Sequence, residues 1–479
     1  MNVLNPTSPH SVLRTHSLGK SQEKAVVITT AILAFLLSGS PKIRIVIGLP
    51  LYAIDLVVLF LAFKDLGKRK IVWNGYSRQI VQLLIAYLCF TMIGELHGAF
   101  VYGRAFESLY LMFRTCLAVS VAFLVPKSIY TLDSLKLVLK GIAVGLVFSA
   151  SLSILYSIPF TRALTEPLFA LKILAPDTDQ IVGVANSYYE SVYSGAYRGR
   201  TLIGAPTISA GVLATLGPMA LMGTQLFQPR SRWNKICKIA LILFPIGVLA
   251  TYGRFAWISL VLMALAFVWC GSTKGKIRLL STLLCVTILA AQLGTATLTE
   301  NFPLINRIVS KTQKTAVSSS HSESESERFL AYTEPFSHVF SYPSFFLLGS
   351  GVAQRRWGGN AFQEAETASH AVPAMAYYAY GMGGAFCQVA LLLLLLRMIS
   401  RRLQQAKLRL AKLAWMWRSL LICWFGLLPW WCFAHGIVTA PRGAMVFFLY
   451  IGIVLACDRI FTRLCRQQAN MSISPTATL

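Results

Sequence analysis

The sequence predicts an all-α protein, a polytopic membrane helical bundle of about twelve transmembrane helices with a long extracytoplasmic loop carrying short helices. Three observations lead there. Of the 479 residues, 56% are hydrophobic and only 13% charged, far from the balance of a soluble domain. Apolar runs of about 18 residues or more, each able to cross a bilayer as a helix, recur along the whole chain. Basic residues collect in alternate connections between those runs, as they do in cytoplasmic loops.

The runs begin near Ala25, Ile43, Ile80, Glu107, Lys136, Thr201, Ile236, Phe255, Leu279, Pro373, Leu420 and Ala444. The first is short, and its basic start and small-residue end resemble a signal peptide. A second run follows almost at once, which favours a tight helical hairpin. The seventh and eighth are joined only by Gly253-Arg254. These runs divide the chain into a tail over 1–24, a membrane domain over 25–298, an extracytoplasmic loop over 299–372, a second membrane stretch over 373–461 and a tail over 462–479.

A net charge of +26 could suggest nucleic acid, but its placement argues against that partner. Segments 64–78, 127–140, 230–238, 274–278, 397–418 and 459–466, with Arg14, Lys20 and Lys24, hold 28 of the 44 lysines and arginines. This positive-inside pattern puts both termini in the cytoplasm and needs an even number of spans. Segment 397–418 is basic and amphipathic, suited to lying along an anionic leaflet, so membrane lipids are expected partners.

The opposite loops, 99–105, 159–200, 253–254, 299–372 and 437–442, hold the residues that could carry chemistry. All ten cysteines fall elsewhere, so no extracytoplasmic disulfide framework is expected, and no Cys/His spacing suggests zinc. There is no P-loop, kinase signature, HExxH or GxSxG. No acidic cluster stands on the outer side for a catalytic divalent metal. The expectation is no metal and no cofactor. In the long loop, Ser318 to Glu327 (SSSHSESESE) reads as a polar tip with nothing to bury. The aromatic-rich stretch after Arg328 can pack as short helices.

Arg198 and Arg200 close the second outer loop, directly before Gly204-Ala205-Pro206. Arg200 is either a rim arginine snorkelling to headgroups or part of a site at a broken helix start. Arg254 follows Gly253 in a two-residue turn that needs glycine but has no use for arginine, which points to a task. His370 stands before Val372-Pro373, where Pro373 suits a first helical turn. It is either an interfacial hydrogen-bonding residue or a base, and nearby arginines favour its neutral form. Arg328 either pairs with Glu325, Glu327 or Glu334 or meets substrate. Gly349-Ser350-Gly351 and then Arg355-Arg356 follow it. His435 and Arg442 flank a further outer turn. Asp55, Glu95 and Arg114 lie in or near spans and are expected to pair with one another or with backbone.

An arginine before a Gly-x-Pro span start, a Gly-Arg turn, and a long outer loop with a central arginine, a Gly-x-Gly and a histidine before the next helix occur here in that order. Over roughly residues 198–384 this resembles the O-antigen ligase and O-antigen polymerase superfamily of bacterial envelope polysaccharide glycosyltransferases. Two positions differ from the usual pattern: Tyr252-Gly253 stands where a serine is common, and Ala371 where asparagine often follows the histidine. The resemblance implies a multi-span inner-membrane enzyme with its site facing the periplasm. Its donor would be a glycan on undecaprenyl diphosphate, and its acceptor another glycan or lipid A–core. Arg254 and His370 would be the catalytic residues, with Arg200, Arg198, Arg328, Arg355 and Arg442 binding substrate. A transporter or flippase for lipid-linked oligosaccharide is the main rival, although no internal repeat is visible and midspan charge is sparse.

Overall fold

The computed structural model describes residues 21–39, 44–47, 49–65, 71–73, 75–103, 105–170, 199–202, 206–251, 254–270, 343–351, 372–433 and 441–473. Seven helices among them are long and apolar enough to cross a membrane: Gly75–Val101, Ser108–Ser128, Leu132–Ser157, Pro206–Leu226, Arg232–Ala250, Met375–Arg409 and Gly443–Asn470. Lys24–Ser38 and Phe255–Cys270 are shorter apolar helices. The chain therefore folds as a helical bundle with the composition of a membrane protein. The run expected near Leu279 lies outside the described residues.

The first departure from expectation follows α1 (Ser21–Ser38). In place of one helix from Ile43, the chain forms an antiparallel ribbon of β1 (Arg44–Ile47) and β2 (Leu49–Tyr52), then the 13-residue α2 (Ala53–Asp65). The pairing runs from Arg44↔Tyr52 to Ile47↔Leu49. The cause is local: Ile45, Val46 and Ile47 are β-branched and favour a pleated surface, and Pro50 disfavours continuation as a helix interior. Among the described residues the fold is all-α except for this ribbon. Just after it, Asp55 forms a buried ion pair with Arg114, whose guanidinium also sits 4.7 Å from the Tyr52 ring centroid. The expected pairing of Asp55 with Arg114 is thus observed.

Next come α3 (Gly75–Tyr102), α4 (Ala105–Ser128) and α5 (Leu132–Ser157). Thr131 and Ser134 make a reciprocal capping box at the start of α5, satisfying amide groups the first turn leaves open. Gly141 and Gly145 present a small face of α5 to α1, and Ser149 Oγ donates to Ser38 O at 2.7 Å. Without an apolar solvent contrast between helices in lipid, such close backbone approach drives association.

After α6 (Pro159–Ala170) the described chain resumes at Gly199–Leu202 and then in α7 (Pro206–Leu216) and α8 (Met219–Leu226), split at Gly217-Pro218. Proline cannot continue the amide ladder, which explains the break. The antiparallel pair α9 (Arg232–Ala250) and α10 (Arg254–Cys270) follows, and later the short α11 (Pro343–Leu348). Three long elements complete the bundle: α12 (Val372–Arg409), α13 (Ala414–Phe433) and α14 (Pro441–Ile473). From Met445 to Cys457, α14 is buried on every side, the mark of a central helix.

The end of the bundle that carries the basic connections is stitched by polar contacts. Asp458 accepts from Ser77 Oγ at 2.6 Å and from Arg402 Nε at 2.6 Å, joining α3, α12 and α14. Arg459 Nη1 donates to Pro126 O at 2.9 Å, adding α4. Those contacts also orient the helices. The starts of α10, α12 and α14 and the ends of α3, α5 and α9 all lie at the other end.

Candidate functional site

At that other end, the segment before α7 is pinned between two helices. Gly199 N donates to Ala250 O at 2.7 Å, so the chain leading into Arg200 touches the last residue of α9. A Cβ on Gly199 would stand 2.5 Å from Ser153 O and 2.8 Å from Ala250 O. Only glycine fits there. Thr201 N and Oγ1 reach Ser209 Oγ at 3.2 and 2.8 Å, tying the segment to α7. Arg200 is only 6% exposed, which does not match a rim arginine snorkelling outward. Its guanidinium lies 4.6 Å from the centroid of the Tyr156 ring, a distance at which a cation is attracted to the ring face.

Four residues beyond Ala250, α10 begins at Arg254. Thr251 closes α9 by donating from Oγ1 to Val248 O at 2.7 Å. The backbone therefore brings the Arg200 segment and the Arg254 helix start to one corner. Arg442 is the second residue of α14, after Pro441 in the position where proline is favoured. Neither α10 nor α14 has an acidic residue in its first turn. A helix start carries partial positive charge and attracts anions; an arginine there reinforces that preference.

A second polar construction lies at the same end. Gly381 interrupts α12 with φ 67° and ψ −173°, and the carbonyls freed by the break find partners. Ser350 N donates to Tyr378 O and Gly351 N to Ala379 O, both at 2.9 Å. Gly349 and Gly351 also have positive φ, a conformation that glycine adopts without strain. The segment rests on α3, where Gly94 and Gly98 leave room for it, and His97 Nδ1 donates to Gly349 O at 2.6 Å. Glu95, 1% exposed, brings its carboxylate against Gly351 here.

Of the residues expected from sequence, Arg200 and the helix starts at Arg254 and Arg442 fall at this end. Arg198, Arg328, Arg355 and His370 lie outside the described residues. The described part of the long loop is α11 and Gly349-Ser350-Gly351, which packs against α3 and α12. Two residues were not singled out from sequence. Arg162, on α6, places its guanidinium 5.3 Å from the same Tyr156 ring; its position just after the Ile158-Pro159 corner was the available signal. His97 is separated from Gly349 by 252 positions, and nothing local announces that contact. Among the described residues no group of three or more His, Cys, Asp or Glu could hold a metal ion, and their cysteines are free thiols.

No protein-family model matches this chain, and no curated protein matches it either.

Proposed function

We propose that the protein is an O-antigen ligase- or polymerase-like glycosyltransferase. It moves a glycan from undecaprenyl diphosphate to a sugar hydroxyl on a glycan or on lipid A–core. In this reading the bundle has about twelve spans in the bacterial inner membrane, with both termini cytoplasmic and the site facing the periplasm. The observation that carries it is the Gly199–Ala250 hydrogen bond, which holds the Arg200 segment beside the α9–α10 corner that leads into Arg254.

The chemistry follows from the side chains. A sugar 1-diphosphate already contains a good leaving group. As the acceptor oxygen bonds to the anomeric carbon, the bond from that carbon to the phosphate oxygen breaks, and undecaprenyl diphosphate departs. Arg254 and Arg200 stabilise the charge growing on that phosphate, a task suited to fixed guanidinium forks. His370 takes the proton of the attacking hydroxyl. Displacement in line inverts the anomeric centre. Arg198, Arg328, Arg355 and Arg442 are assigned to binding the anionic donor or the acceptor, and no cofactor is needed.

The test is glycan transfer in membranes containing Arg254→Ala, Arg254→Lys or His370→Ala. Loss in both alanine variants, with partial return in Arg254→Lys, is expected; full activity in all three removes the proposal. Deleting the gene separates the two acceptor classes. Single repeats on the core indicate a polymerase, and unattached lipid-linked polymer a ligase.

One observation favours a second reading, a lipid-linked oligosaccharide transporter. Broken helices with buried acidic groups occur at transport sites, and Gly381 with Glu95 has that form. Substrate crossing vesicles without glycan transfer decides for transport.

A further inference from the structure

We infer that Arg397, Arg401 and Tyr76 form a binding site for one anionic phospholipid at the basic end of the bundle. The site is independent of the chemistry proposed for the opposite end. The first observation is a change of character along one face of α12. Phe386, Val389 and Leu393 are exposed, and Arg397 and Arg401 are exposed further along the same face, at the helical spacing that makes side chains neighbours. From Phe386 to Arg397 the face offers about 16 Å of outward apolar surface. Two cations one turn apart then end it. An acyl chain suits the first part and a phosphodiester headgroup the second.

The second observation is how the two arginines are held. Their guanidinium carbons lie 5.7 and 5.2 Å from the centroid of the Tyr76 ring, at the start of α3. Among the described residues neither forms an ion pair with a carboxylate, whereas the next residue, Arg402, is turned to Asp458. Like charges one turn apart repel, and a phosphate that accepts from both relieves the repulsion through charge-assisted hydrogen bonds. Tyrosine is suited to the level where acyl chains give way to headgroups. The third observation is the course of α12. Gly381 is the residue where its backbone leaves helical geometry, and from there the helix runs on through Arg409. The first part of the basic segment thus extends a span and does not turn to lie flat along a leaflet. Lys407 and Arg409 stand about 9 and 12 Å beyond Arg401 along the axis, further than surface charge acts in physiological salt.

The competing explanation is a diffuse attraction of all basic residues at this end for anionic lipid. The position of the charge tells the two apart. Purified full-length protein in nonionic detergent is titrated with dioleoyl phosphatidylglycerol or dioleoyl phosphatidylcholine, and native mass spectrometry reads the Kd of the first lipid retained. Thermal unfolding without added lipid reports the folding of each variant. Wild type is expected to bind phosphatidylglycerol about tenfold tighter than phosphatidylcholine. Arg397→Gln combined with Arg401→Gln removes that preference, and Tyr76→Leu weakens phosphatidylglycerol binding about threefold. Lys407→Gln combined with Arg409→Gln deletes the same charge outside the site and changes the Kd less than about twofold. A wild type without preference, equal losses in the two double variants, or no loss in the Arg397 and Arg401 double variant overturns the inference.

Discussion

Arginine is held in two ways in this bundle, by a carboxylate and by an aromatic ring. At the basic end Arg402 meets Asp458, which also accepts from Ser77, and the carboxylate is bound from two helices at once. At the other end Arg200 and Arg162 are laid on an aromatic ring, and Arg254 and Arg442 stand at helix starts. A carboxylate partner neutralises a cation and fixes it as structure. A ring face holds the cation in place while leaving its charge intact. The first arrangement fastens helices through a carboxylate, and the second seats the guanidinium groups on an aromatic surface.

That contrast is open to test. The largest expected effect is on chemistry: Arg254→Ala should lower glycan transfer about a thousandfold, in the range of removing one transition-state donor, with the unfolding midpoint unchanged. A drop in midpoint that parallels the loss would place Arg254 among the fastenings. Next, Asp458→Ala should destabilise the bundle by about 3 kcal/mol, since it leaves Arg402 without its buried carboxylate. Transfer per folded molecule should stay within about threefold of wild type; thermal unfolding in detergent and transfer assays give the two numbers. Gly199→Ala should cost about 1–2 kcal/mol through crowding against Ser153 and Ala250. Because it displaces the Arg200 segment, it should also weaken donor binding, seen as a raised KM. The smallest effect belongs to Ser77→Ala, about 1 kcal/mol for one hydrogen bond, with no change in KM.

How much of this was legible in the sequence depends on the distance over which each feature is determined. The long helices are written in contiguous hydropathy, and α3, α5, α12 and α14 fall where the runs begin. The ribbon at 44–52 was missed because a short apolar run reads alike as strand or helix; its β-branched residues and Pro50 were the finer signal. The break at Gly381 lies inside an unbroken apolar run, and glycine alone does not reveal which carbonyls it frees. Arg200 and Arg254 stood out because charge beside an apolar run is conspicuous. Their approach to one another depends on Gly199 meeting Ala250, a contact between residues far apart in the chain. Arg162, His97 and the surroundings of Glu95 share that dependence on tertiary packing.

The placement of α14 bears on how such a molecule is made. It follows every other described helix in sequence, yet it fills the middle and packs on α4, α7, α1 and α12. Until it is synthesised and delivered from the ribosome, the earlier helices surround a groove that only lipid or an insertion chaperone can occupy. Assembly therefore waits on α14, and a stop codon before residue 441 should yield a chain that inserts but is degraded.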